Sequence, residues 1–206
     1  MPRLFSFLLL LSTTLPAQTP RLDPTIEGPI KSWEDSHPWQ QIDDLDGRFR
    51  IELPGTFELK VDTLETAVGQ QAFHTYFYKV PEIERAENLI YVLSYVDYPE
   101  GALHEDSTDL VTEFLTSTEE AAAEALRGEV IYATDREVHG YPGRIWRIDY
   151  KDGEASARTL AFVIGRRYYE LKTFTLTGRG LGDASDKFFG SFRYLGQDRK
   201  ANNTAH

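Results

Sequence analysis

"RIWRIDYKDGEASARTLAFVIGRRYYELKTFTLT", residues 144–177, decides the fold. It holds three runs rich in β-branched and aromatic residues: Arg144–Lys151, Glu154–Ile164 and Arg166–Thr177. Only two short breaks separate them. The first, Lys151 to Glu154, centres on Asp152-Gly153, a pair that tolerates the positive φ of a tight hairpin turn. The second is Gly165-Arg166, with glycine first, as a type II′ turn requires. Breaks this short cannot carry the crossover that parallel strands need. The three runs therefore predict an antiparallel meander.

Upstream of the meander the period changes. Over Asp106–Arg127, Leu110, Val111, Phe114, Leu115, Ala121, Ala122, Ala125 and Leu126 recur at three- and four-residue steps. Glu113, Glu119, Glu120 and Glu124 fall on the other side, and Gly128 is placed to stop the turn. This is an amphipathic helix covering a sheet. Before it, "RFRIELP" (48–54) alternates, with Phe49 and Ile51 on one face. "FELKVDTLETAV" and "QQAFHTYFYKV" follow as a pair divided near Gly69, and "NLIYVLSYVDY" reads as a central strand covered on both faces. Downstream, "DASDKFFGSF" forms a short closing helix, with Asp183 as its cap and Asp186 in its first turn. Antiparallel strands with helices grouped between them make the chain α+β, not doubly wound parallel. One domain spans 39–196. It lies between a Pro-containing, flexible lead-in (18–38) and a polar tail (197–206).

The first 17 residues stand apart from this pattern. Arg3, the apolar run Leu4–Leu11 and a small, polar exit ending at Ala17 have the layout of a secretory signal peptide. The run falls short of the about 20 apolar residues that span a bilayer. Cleavage after Ala17 removes one arginine and no acid, taking the net charge from −11 to −12. A chain this acidic repels nucleic-acid backbones and anionic lipid, so neither nucleic acid nor, after cleavage, a membrane is an expected partner. There is no cysteine, which excludes disulfides, thiolate metal sites and cysteine nucleophiles. Localisation is expected to be periplasmic or secreted.

Several stretches taken in order carry a resemblance. They are "GRFRIELPGTF", "YVLSYVDYPEG", the amphipathic helix, "HGYPGRIWRI", "GRRYYELKTF" and "DKFFGSFRYL". Together they resemble the PsbP-like and DcrB-like superfamily of small exported bacterial proteins, over about Trp39–Leu195. The resemblance implies an antiparallel sheet sandwiched by helices, an α/β/α arrangement, and it implies no shared catalytic residues.

Motifs of chemistry are few. "TGRGLGD" (177–183) looks like a phosphate loop, but its G-x-G-x-G spacing follows an antiparallel strand, and Asp183 and Asp186 occupy the helix start a phosphate would need. No G-x-S-x-G elbow or Ser-x-x-Lys motif is present. In "GYPGR", Pro142 and Gly143 read as the two central residues of a turn, with Tyr141 closing one end of the core. The remaining candidate is "SYVDYPEGALHEDSTD" (94–109). Asp97, Glu100, His104, Glu105, Asp106 and Asp109 could converge on a divalent cation if the loop folds back. Against that, each carboxylate has a local role. Asp97 ends a strand, Glu100-Gly101 turns the chain, Asp106 caps the helix with Asp109 at the third helical position, and Glu105 complements the helix dipole. The expected function is a non-enzymatic binding or assembly module of the bacterial envelope or extracellular space, with a protein partner and no cofactor. The alternative is a divalent-cation-binding protein or metal-dependent hydrolase built on residues 97–109.

Overall fold

The computed structural model describes residues 31–66, 68–179 and 183–196. The expected signal segment (1–17), lead-in residues 18–30, residues 180–182 of the glycine-rich loop and the tail from 197 lie outside the described residues. The elements in order are α1 (Trp33–Ser36), β1 (Gln40–Asp44), β2 (Phe49–Leu53), β3 (Glu58–Thr66), β4 (Gly69–Lys79), β5 (Ile90–Asp97) and α2 (Thr108–Leu126). Then come β6 (Glu129–Asp135), β7 (Gly143–Tyr150), β8 (Ala155–Ile164), β9 (Arg167–Leu176), a 3₁₀ turn (Thr177–Arg179), α3 (Asp183–Ser191) and β10 (Arg193–Tyr194).

The meander forms as read: β7–β8–β9 are antiparallel, with Tyr150 opposite Ala155 and Ile164 opposite Arg167. Asp152 and Gly153 take φ of +55° and +84°, and Gly165 takes +62°. The full sheet has seven strands in the order β3-β4-β5-β9-β8-β7-β6, antiparallel at every pairing. A second sheet, β1-β2-β10, joins the two ends of the domain.

Strand alternation sorts the apolar residues onto two faces. On one, Tyr91, Leu93, Tyr95, Leu160, Phe162, Tyr169 and Leu171 pack against Phe49, Ile51 and Leu53 of β2 and against Phe188, Phe189 and Phe192. On the other, Val96, Trp146, Ile148, Ala161, Val163 and Tyr168 pack against Val111 and Leu115 of α2. Burying one such side chain contributes about 1.5–3 kcal/mol. One face thus carries α2, while the other carries the three-stranded sheet together with α3. The resemblance implies a sheet covered by helices alone; here a three-stranded sheet shares one face with α3.

Three further expectations change. The strand buried on both faces is β8, buried at every position except Arg158, while Val92 and Ser94 of β5 are only half-buried. The lead-in gives way to the domain before residue 38. Trp33 is buried in the first core, and buried Glu34 accepts the N–H groups of Glu87 and Asn88 and the Tyr91 hydroxyl. Glu119 faces the sheet instead of solvent, because Arg144 on β7 lies 2.6 Å from its carboxylate.

Candidate functional site

A cleft of about 460 Å³ opens between the start of α2 and the β6–β7 connection. It joins two stretches that the sequence singles out, the acidic run before α2 and the "GYPG" turn. Their residues meet there because α2 packs on β7 and β8, driven by Val111 and Leu115 seating against Trp146 and Ile148.

The β6–β7 connection is built differently from its reading. The turn lies at His139-Gly140, whose φ values are +52° and +80°, closed by paired hydrogen bonds between Val138 and Tyr141. Gly143 is not at positive φ; it begins β7. Its role is close approach, since a Cβ there would lie 2.7 Å from the carbonyl oxygens of both Ala161 and Arg136. Tyr141 is buried in the first core, as expected. His139 Nε2 lies 2.9 Å from the Phe192 carbonyl oxygen, which fixes the turn to the end of α3.

The acidic run is likewise repositioned. The N-cap of α2 is Ser107, and its side chain makes no capping bond. Asp106 sits one residue outside the helix, and Asp109 at the second helical position, one place earlier than expected. The Asp106 N–H lies 3.2 Å from His104 Nδ1, which is also 3.4 Å from the Asp106 carboxylate. Glu105 is held by the turn between β8 and β9. Its carboxylate accepts the Gly165 N–H at 2.6 Å while its own N–H donates to the Gly165 carbonyl at 3.0 Å, pinning the run to the β8–β9 turn. Between them Leu103 plugs into the second core.

Asp97 lies elsewhere. It receives two hydrogen bonds from Arg167, at 2.7 and 2.6 Å. Arg167 also donates to the Asp46 carbonyl at 2.7 Å and lies over the Tyr95 ring at 4.4 Å. Burial alone would raise the Asp97 carboxyl; the Arg167 hydrogen bonds and charge, aided by Arg48 and Arg166, hold it below the usual carboxylate value. Glu100 is exposed beside the Gly101 turn, where φ is +82°. The six candidate residues are thus spread over a strand end, a turn and a helix start. Among the described residues, no group of three or more His, Asp or Glu is placed to hold a metal ion.

What the cleft does have is an acidic lining. Glu105, Asp106, Asp135 and Glu137 line it against one cation, Arg136, and Pro142 and the buried Val111 and Leu115 also border it. Asp135 and Glu119 both bind Arg144, at 2.6 Å each, so an ion-paired bridge ties α2 to β6 and β7 beside the cleft. Sequence reasoning passed over Asp135, Arg136, Glu137 and Arg144. The charge-dense "TDREV" next to "HGYPGR" was the available signal. Two of these carboxylates are already engaged, Glu105 with the Gly165 N–H and Asp135 with Arg144.

No family model matches the sequence, and no curated protein matches it. Solved structures do. The solution structure of cyanobacterial PsbP (CyanoP) from Synechocystis sp. PCC 6803 is 15% identical, over 76% of this chain and 92% of that one, with a TM-score of 0.50. A crystal structure of a protein of unknown function from Pseudomonas aeruginosa, PA94, is 13% identical, over 69% of this chain and 85% of that one, with a TM-score of 0.36. The fold is PsbP-like, as the sequence resemblance implies.

Proposed function

We propose that this PsbP-like domain is an exported, non-enzymatic binding or assembly module of the bacterial envelope or extracellular space. Its cleft between α2 and the β6–β7 turn takes a basic segment of a protein partner. The observation that carries the reading is the lining of that cleft, four carboxylates, one of them paired with Arg144, to a single lining guanidinium. A concave cleft with a few convergent charged groups is a common form of binding site. A strongly acidic surface also speeds the approach of a cationic partner. Export is supported by the signal-like pattern of residues 1–17, and no described helix is long and apolar enough to cross a membrane.

The test uses the full chain in a bacterial envelope. A photo-crosslinking side chain at Thr112, on the cleft wall, should capture a defined protein band. The same side chain at exposed Glu120 on α2 should not. Capture should fade with added salt and with Asp106→Lys plus Glu137→Lys, while the melting temperature holds. Equal capture from both positions, or capture indifferent to charge reversal, would refute the cleft. Intact mass of the exported chain tests cleavage after Ala17.

A further inference from the structure

β3 is a nine-residue strand at the rim of the seven-stranded sheet, and among the described residues no strand pairs with its outer edge. Leu59, Val61 and Leu64 on it are 53%, 49% and 51% exposed. A long strand edge is a template for another strand, and charged residues on it restrict which strand can pair. The question is which strand, and the charges of β3 itself supply an answer.

We propose that β3 pairs antiparallel with β3 of a second copy of this chain, about a twofold axis through Val61. Such an axis keeps each face of the sheet matched, so only registers centred on a residue are allowed. Centring on Lys60 sets lysine against lysine, and centring on Asp62 sets aspartate against aspartate. Centring on Thr63 sets Val61 against Glu65 and Asp62 against Leu64. Centring on Val61 sets Lys60 of each copy against Asp62 of the other, twice, and Leu59 against Thr63. Within one chain Lys60 and Asp62 already form a 2.7 Å ion pair on one face of the strand. The dimer turns this into a ring of four alternating charges. The opposite face, which continues onto Tyr76 and His74 of β4, gains a cluster of two valines and two leucines. Cross-strand pairs of opposite charge and paired apolar residues are what hold strands in register. A second copy fits because the pattern is self-complementary; an unrelated strand would have to match the Lys-Val-Asp spacing independently.

The absence of cysteine makes the register directly readable. The two Val61 Cα atoms would stand about 4.5–5.5 Å apart, within disulfide reach. On oxidation, the exported chain carrying Val61→Cys should become a disulfide dimer much faster than Leu64→Cys, whose partner in this register is Glu58. Sedimentation velocity should show a reversible, concentration-dependent dimer. Lys60→Asp or Asp62→Lys alone should each weaken it by about tenfold or more, since both cross-strand pairs then repel. Mixing the two variants should restore a heterodimer, because every cross-strand pair becomes opposite in charge again. Circular dichroism checks that each variant is folded. A chain that stays monomeric at every concentration overturns the proposal, and so does a dimer that ignores both charge reversals. Leu64→Cys crosslinking as fast as Val61→Cys overturns it too. An added extended peptide that pairs with β3 while the chain alone stays monomeric assigns the edge to a foreign strand and overturns the second copy.

Discussion

Gly140 and Gly143 lie three residues apart beside the cleft, and the structure requires glycine at each for a different reason. At Gly140 the backbone has φ of +80°, and an added Cβ would meet nothing within 4 Å. Alanine there bears only the left-handed penalty, about 1–2 kcal/mol. At Gly143 the backbone is ordinary extended strand, but a Cβ would sit 2.7 Å from the carbonyl oxygens of Ala161 and Arg136 and 2.9 Å from Phe162 Cβ. Relief of those contacts to 3.4 Å needs a shift of about 0.7 Å between β7 and its neighbours. Forcing extra volume into a packed site costs about 1–3 kcal/mol. For a chain of this size each kcal/mol lowers the melting temperature by about 2–4 °C. Alanine at either site is therefore expected to lower it by several degrees, and asparagine separates the two. Asparagine tolerates the left-handed region, so Gly140→Asn should recover much of the loss seen in Gly140→Ala. Gly143→Asn should be worse than Gly143→Ala, because the clash grows with the side chain. Thermal and urea melts of the four variants decide the matter. Wild-type stability in Gly143→Ala, or no benefit of asparagine over alanine at position 140, would refute the reasoning.

Three more outcomes are expected. With the cap at Ser107 and the Asp106 side chain 80% exposed, Asp106→Ala should change stability by less than about 0.5 kcal/mol. Melting temperatures of wild type and variant should be flat against calcium, manganese and zinc; a cation-induced rise lost in the variant would revive the metal reading. Asp97, held below its ordinary value by Arg167, stabilises the fold above the unfolded aspartate pKa of about 3.9, and that contribution fades as pH drops through the lower folded value. Asp97→Asn should therefore be less stable than wild type at neutral pH, with the gap closing in acid; a gap constant with pH contradicts this. Glu87 is raised by burial, against the opposing Ala184 N–H, and by the charges of Glu34, Asp35 and Asp183. Its folded form holds a proton more tightly than its unfolded form, so stability declines as pH rises from the ordinary glutamate value of about 4.3 through the raised one. Glu87→Gln keeps an acceptor for Ala184 and should remove that decline, giving a gain at pH 7 and none at pH 4. Urea melts at the two pH values check it.

What the sequence made legible was local. The meander could be read because Asp152, Gly153 and Gly165 set its turns within two residues of the strands they join. The β1-β2-β10 sheet could not, since it pairs Tyr194 with Phe49 and its last strand has two residues. Helix α2 was recognisable from its period, but its cap was placed one residue early, because in "HEDSTD" several adjacent residues can cap. Burial of Val111 and Leu115 decides the register. Glu119 looked like a solvent residue because its neutralising partner, Arg144, is 25 residues away on another element. At the candidate site, proline and glycine announced a turn at "GYPG", yet the pattern held two glycines. Only contacts from β8 show that one serves φ and the other serves space. At α3, Asp183 reads as a cap from its neighbours. It is instead the first helical residue, and the carboxylate at the Ala184 N–H comes from Glu87.

The order of strands in the large sheet bears on how the chain finds it. β3-β4-β5 and β6-β7-β8-β9 are each runs of sequence neighbours, and only the β5–β9 pairing joins them. That seam joins Asp97 to Arg167, 70 residues apart, whereas the longest hairpin connection, from Lys79 to Ile90, spans about ten. Loop-closure entropy makes the distant pairing the late, slow event, after two local sheets are already available. The seam also completes both cores, because Leu93, Tyr95, Tyr169 and Leu171 face one of them and Val96 and Tyr168 the other. Neither half can hide its apolar face alone. A shortened chain lacking β3–β5 would therefore expose the Tyr169–Leu171 edge of β9, and an arrested chain would be poised to trade halves with a neighbour. The barrier to folding and the route to domain exchange lie along the same eight residue pairs.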